Sequence, residues 1–343
     1  MKKKSDGGGG PLSALPHPAA PAPRGPLERV PRCVPIDASG GQPDWYYPDT
    51  DPNIYLNDHC NIDCVFCSSV NEKRLHTEEE IRRLILANKH TVSFEGGEPT
   101  LSPDLVRWVR FAKDSGVRET VLCTNAAVFE SRKRIEELVD AGLDVFNVNF
   151  PAHIDRLYDA ITQTRGYFER RVGAVKNLIA VAGGPKVRLH VVVNKFNYKI
   201  LPDYARFVRE EFPGLFFVEF NMIKVLGYVK QRPFLVPSLT DMEPHLRECW
   251  TRLDRYGIRF ITDGFPLCFM EGFESGSIDA WKMARAQSLY INEKARTSRC
   301  RGCSLEALCP GPRRDYVEIH GDAELRPSRR DAAALTAVLL RDG

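Results

Sequence analysis

No run of apolar residues in this 343-residue chain approaches the roughly 18 that a bilayer-spanning helix requires. A secretory core is missing too. The opening "MKKKSDGGGG" is basic but leads into glycine, and prolines break up "LSALPHPAAPAP". Charge of one sign is scarce: 48 Lys and Arg oppose 45 Asp and Glu, a net of +3. So small an excess offers no dense basic field, and neither nucleic acid nor a membrane is expected as a partner. With no export signal, the ten cysteines are expected in a reducing cytoplasm. There, clustered thiols read as metal binding or catalysis rather than as disulfides.

Residues 1–50 hold 10 of the 24 prolines and 7 of the 25 glycines. Such a composition cannot bury enough surface to offset ordering entropy, so residues 1–45 are expected to be disordered. From about residue 53, β-rich runs ("NIYLN", "HTVSFEG", "ETVLCTN", "DVFNVNF", "KVRLHVVVN", "LFFVEFNM") alternate with amphipathic helical patterns. That alternation argues for βαβ units and a parallel sheet. Past about residue 235 the rhythm stops, and a helix ("DMEPHLRECWTRLDRYG") leads into a cysteine-bearing tail.

Parallel strands covered on both faces should be almost purely apolar. Here Asn147 and Asn149 share one face of their strand, as do Arg188, His190 and Asn194, and as do Glu219 and Asn221. One such residue would pass as a strand end fraying into a loop. Three strands doing it together point to a ligand-filled barrel or half-barrel, because buried polar groups without partners are expensive.

"YLNDHCNIDCVFCSSV" packs Cys60, Cys64 and Cys67 into a C-x3-C-x2-C spacing without a fourth cysteine. A structural zinc site wants four closed ligands. A redox dithiol would use only Cys64 and Cys67. A cubane iron–sulfur cluster on three thiolates leaves one iron open to another ligand, which gives the missing cysteine a purpose.

This loop, after the first strand and with the aromatic Phe66 before its last cysteine, resembles the radical S-adenosylmethionine (radical SAM) enzymes. A second mark follows in "SFEGGEPT", where Gly96, Gly97 and Glu98 match that family's Gly-Gly-Glu segment. The resemblance implies an α/β fold, a partial (β/α)6 barrel with a small cysteine-rich C-terminal extension. It implies a [4Fe-4S] cluster on Cys60, Cys64 and Cys67 whose open iron binds S-adenosylmethionine. Gly96, Gly97, Glu98, Thr124, Asn125, Asn147 and Asn149 would contact that cofactor.

"SRCRGCSLEALCPG" supplies Cys300, Cys303 and Cys309, with Cys268 upstream. Four thiolates could close a zinc site. The spacing also resembles the SPASM or twitch extension of radical SAM enzymes, which implies one auxiliary [4Fe-4S] cluster acting as an electron acceptor. Cys33, Cys123 and Cys249 read as bystanders, since cysteine is a good small core residue. The expected division is 46–235 for the core, 236–325 for the auxiliary region and 326–343 for a tail.

The expected chemistry is reductive cleavage of S-adenosylmethionine, then hydrogen abstraction from a substrate. A flavodoxin- or ferredoxin-type donor would supply the electron. Glu219 and His190 are candidates for accepting a proton. A peptide is the first substrate choice. A small metabolite, such as a sugar alcohol or aminoglycoside, is the alternative. A non-catalytic Fe–S or zinc module would leave the Gly-Gly-Glu segment and the polar interior without a role.

Overall fold

The computed structural model describes residues 53–70, 75–285 and 293–341. The segment expected to be disordered, with Cys33, lies outside them. Seven parallel strands form one sheet in sequence order: β1 (Asn53–Tyr55), β2 (Thr91–Glu95), β3 (Glu119–Thr124), β4 (Val145–Asn149), β5 (Val187–Val193), β6 (Phe217–Met222) and β7 (Arg259–Asp263). β1 and β7 do not pair, so the sheet is an open partial barrel. The helices α1 (Glu78–Ala87), α2 (Leu105–Asp114), α3 (Arg132–Asp140), α4 (Asp155–Thr162), α5 (Phe168–Ala182) and α6 (Leu201–Glu211) lie in the crossovers between successive strands. α7 (Leu239–Arg255) leads into β7, and α8 (Ile278–Ala284), α9 (Arg314–His320) and α10 (Ala332–Arg341) follow it.

β5 shows why the sheet is two-faced. Val187, Leu189, Val191 and Val193 are fully buried, while Arg188, His190 and Val192 alternate with them and are only partly buried. A period of two puts the valines under the helices and the polar residues on the opposite, inner face. Phe150 anchors the helical side, ringed by Tyr158, Phe168, Phe207 and Phe212 at centroid distances of 5.5–6.0 Å.

The fold class is the expected one, but the sheet runs one strand further than the sequence rhythm suggested. β7 escapes a pattern search because "RFITD" has only two apolar residues between charged ends. Its place in the sheet comes from a tertiary contact: Phe260 stacks on Trp250 of α7 at 5.4 Å with an interplanar angle of 3°. α4 was not anticipated either. It is eight residues long and has no side-chain cap.

Candidate active site

The loop after β1 carries Cys60, Cys64 and Cys67, and three neighbours tie down its backbone. From the turn after β2, Gly97 N donates to Asn57 O and Glu98 N to His59 O, each at 2.9 Å. The end of α4 accepts from the loop, with Asp63 N 3.2 Å from Thr162 O and Val65 N 2.9 Å from Ile161 O. On the third side, Tyr228 N donates to Cys67 O at 3.1 Å.

Gly96 and Gly97 make the first contact possible. Gly96 sits at φ +145°, and a Cβ there would lie 2.5 Å from Asn57 O; one on Gly97 would lie 2.1 Å from His59 O. No side chain fits where two backbones touch. Beside the cofactor contact that the resemblance implies for them, these glycines let the backbone of the cysteine loop close on the turn.

Glu98 is 1% exposed, and its carboxylate accepts four hydrogen bonds. They come from Thr100 N (3.1 Å), Thr100 Oγ1 (2.6 Å), Thr124 Oγ1 (2.7 Å) and Asn125 N (2.7 Å). Burial pushes this carboxyl up, against the pull of those bonds. Glu98 and Thr124 thus bracket the end of β2 to the end of β3. Asn125, held by the bracket, extends Nδ2 to Asn61 Oδ1 (2.8 Å) and to the Cys60 sulfur (3.5 Å).

The inner face carries the other expected residues in layers. Register aligns Asn149 with His190 and His190 with Glu219; one step further on, Asn221 aligns with Asp263. Asn147 Nδ2 donates to Glu219 at 3.1 Å, and Asn149 Nδ2 reaches the Cys64 sulfur at 3.8 Å. Buried atoms here have no partner: Asn147 Oδ1, Asn149 Oδ1, Asn221 Oδ1 and His190 Nε2. Arg188 is different. Its guanidinium pairs with Glu119 at 2.8 Å and lies over Phe217, at the layer aligned with the start of β6. Asn194 turns away to brace the loop after β5 through Asn197.

These features fit an iron–sulfur cluster with a cofactor beside it. Three cysteines of graded exposure, Cys60 exposed, Cys67 half-buried and Cys64 buried, share one short loop. Burial pushes the Cys60 and Cys64 thiols up, so the bare thiolates are disfavoured and bound iron would neutralise them. The orphaned Asn57 Oδ1 and Asn149 Oδ1 await hydrogen-bond donors of a ligand.

At the other cysteine group, Cys268, Cys300, Cys303 and Cys309 line one small pocket. Gly311 N donates to the Cys309 sulfur (3.4 Å) and Ser328 N to that of Cys303 (3.3 Å). Burial pushes the Cys309 thiol up to about 12. Among the described residues no three His, Cys, Asp or Glu side chains close on a single ion. Of the bystanders, Cys249 is fully buried on α7, whereas Cys123 faces inward, 3.7 Å from both Ser93 Oγ and Glu95 Oε1.

Sequence reasoning missed a charged wall beside the sheet's last strands. Lys294, 2% exposed, pairs with Asp263 at 2.9 Å and Asp279 at 2.5 Å. Lys224 pairs with Glu293 at 3.0 Å, and Arg313 with Glu293 (2.8 Å) and Asp315 (2.7 Å). The mark that would have found Asp263 is the one shared by Asn149 and Asn221, a polar residue at or next to the end of a short strand.

Residues 54–208 match the family described as the Radical SAM superfamily. Over 181 residues the chain is 31% identical to the probable GTP 3',8-cyclase of Methanocaldococcus jannaschii, covering 50% of this chain and 59% of that protein. Over 214 residues it is 32% identical to the GTP 3',8-cyclase of Synechococcus elongatus, covering 59% and 64%. The match thus spans less than two thirds of either relative's length. Among solved structures, Streptococcus suis SuiB superposes with a TM-score of 0.51 at 20% identity, covering 62% of this chain and 49% of that one. Native anSMEcpe with bound AdoMet and Cp18Cys peptide gives 0.51 at 15% identity, covering 85% and 96%. At such identities these superpositions speak for the fold alone. A [4Fe-4S] cluster and S-adenosylmethionine are the cofactors of the matched family. Residues 54–208 thus carry this chain's match to the radical SAM superfamily.

Proposed function

We propose that this radical SAM enzyme oxidises a peptide held against the inner face of β5, β6 and β7. The observation that carries the reading is the cysteine loop locked by backbone bonds onto the Gly-Gly-Glu turn, beside an inner sheet face that keeps unpartnered buried polar atoms. Cys60, Cys64 and Cys67 would hold the first cluster, and Cys268, Cys300, Cys303 and Cys309 a second. Bound there, the first cluster and S-adenosylmethionine supply a radical that removes hydrogen from an unactivated carbon, and the second supplies an electron acceptor. Asn125 and Asn149 brace the cysteine sulfurs on the side where the cofactor would lie. A substrate that is oxidised also releases a proton. Glu219 and His190, aligned in register on the inner face, would take it. On this reading residues 46–235 carry the radical chemistry, with β7 completing their sheet, and residues 236–325 carry the second cluster. The reducing electron is expected from a flavodoxin- or ferredoxin-type donor.

The names of the curated relatives favour a second reading, a GTP 3',8-cyclase. A triphosphate asks for cations that are free to meet it. Arg188, Lys224, Lys294 and Arg313 each already face a carboxylate. Of the five orphaned inner-face atoms, three are amide-oxygen acceptors, and the others are His190 Nε2 and Arg188 Nε. Acceptors suit a ligand rich in N–H or O–H donors. A peptide, or an amino- or hydroxyl-bearing metabolite, supplies such donors.

The test is anaerobic incubation with reductant and S-adenosylmethionine, with 5'-deoxyadenosine measured by chromatography. Slow formation without substrate, acceleration by a candidate peptide and indifference to GTP are expected. Stimulation by GTP with a cyclised product would replace the first reading with the second. Absence of 5'-deoxyadenosine would overturn both.

A further inference from the structure

Arg171 is the most discordant charge in the molecule. It lies in the first turn of α5, is 1% exposed, and none of its three guanidinium nitrogens pairs with a carboxylate among the described residues; its polar neighbour is the Tyr158 hydroxyl. Its neighbour Arg170 shows the ordinary arrangement, exposed and 2.7 Å from Glu130. Glu169, the acid nearest in sequence, is exposed, and Asp159 is committed elsewhere: it accepts from Thr164 Oγ1 (2.7 Å) and from the backbone of Gly166 (2.5 Å) and Tyr167 (3.4 Å). What surrounds Arg171 is aromatic. Its guanidinium lies 5.1 Å from the Tyr167 ring, and Tyr158 packs on Phe150 and Phe168 at 5.5 and 5.8 Å. Among such neighbours an uncompensated cation costs several kcal/mol.

The compensating charge would lie on the far side of α4. Ile161 O and Thr162 O accept from Val65 N and Asp63 N, so α4 bears directly on the segment around Cys64. Tyr158, on the same helix, interacts electrostatically with both Arg171 and Cys64. A cluster on three thiolates is anionic and gains a further negative charge on reduction.

We infer that Arg171 is the buried counter-charge of the cluster on Cys60, Cys64 and Cys67, a positioning residue that favours the reduced state through Tyr158 and α4. The inference rests on the cluster assignment made above. Because the cation stabilises the reduced form more than the oxidised form, it raises the cluster's midpoint potential.

The test is redox titration of the reconstituted full-length enzyme, followed by electron paramagnetic resonance. The signal that changes on adding S-adenosylmethionine identifies this cluster. Arg171→Met should lower the reduced-to-oxidised ratio at a fixed potential about tenfold, a fall of about 59 mV for one electron. Arg171→Lys, which keeps the charge, should recover most of that shift. Wild-type potentials in both variants would overturn the proposal. So would equal shifts in both, since they would mark Arg171 as a packing residue only. If Arg171→Met fails to take up iron, Arg171→Gln against Arg171→Lys gives the same comparison. A wild-type protein with no S-adenosylmethionine-sensitive cluster would remove the assignment itself, which the iron content shows before any variant is made.

Discussion

Gly97 is the residue with least room to change. A methyl group there meets a backbone carbonyl that the cysteine loop cannot withdraw without breaking its bonds to Gly97 and Glu98. Gly97→Ala should cost about 1–3 kcal/mol by denaturant melting. It should also lower 5'-deoxyadenosine formation by about tenfold or more, since misplacing the loop misplaces the reacting groups. Unchanged melting would mean that the loop and the turn are not in contact in solution. The cysteines differ in kind. Replacing Cys60, Cys64 or Cys67 with alanine should abolish S-adenosylmethionine cleavage while circular dichroism stays that of the folded protein. Turnover at the wild-type rate in any one of these variants would refute the ligand assignment.

Helix α7 shows how an element is fixed by groups remote in sequence. Ser238 caps it by accepting from Asp241 N at 3.1 Å. Glu324 then reaches back to accept from Leu239 N (3.3 Å), Thr240 N (2.8 Å) and the Tyr316 hydroxyl. Burial acts to raise the Glu324 carboxyl, but the bonds from Thr240 and Tyr316 outweigh it and hold it below the ordinary carboxylate range. A depressed carboxyl contributes stability that is present above its unfolded pKa and lost as pH falls through its folded value. Acid should therefore weaken the join between α7 and the C-terminal segment below about pH 4.3. Glu324→Gln should be less stable at neutral pH by about 1–2 kcal/mol and should respond less to acid in that range. Melting temperatures of both proteins between neutral and acidic pH would check this. Parallel curves would show that Glu324 contributes nothing through its charge.

For the whole molecule the open question is what the two cysteine groups hold together. Reconstituted anaerobically, the protein should carry about eight irons as two [4Fe-4S] clusters. A variant lacking Cys300, Cys303 and Cys309 should fall to about four irons and still cleave S-adenosylmethionine, because the first group's ligands lie on the loop after β1. Substrate oxidation should fail in that variant. About four irons with one zinc in the wild type would instead make the tail a structural clamp.

By itself the sequence determined the periodic and the contiguous. Alternating valines in "KVRLHVVVN" and the three thiols in "CNIDCVFC" are local patterns, and local patterns are legible because strand period and ligand spacing are set by the chain's own geometry. Only the tertiary structure decided what depends on residues far apart. That the Glu98 carboxylate ties the end of β2 to the end of β3 is seen only when Thr124 and Asn125 are found donating to it. "RFITD" reads as loop until Trp250 stacks on Phe260. Arg171 looks like any helix-surface arginine beside Arg170 until α4 covers it. In each case the deciding energy, a hydrogen bond, a stacked ring or a desolvated charge, belongs to a pair whose members no local pattern brings together.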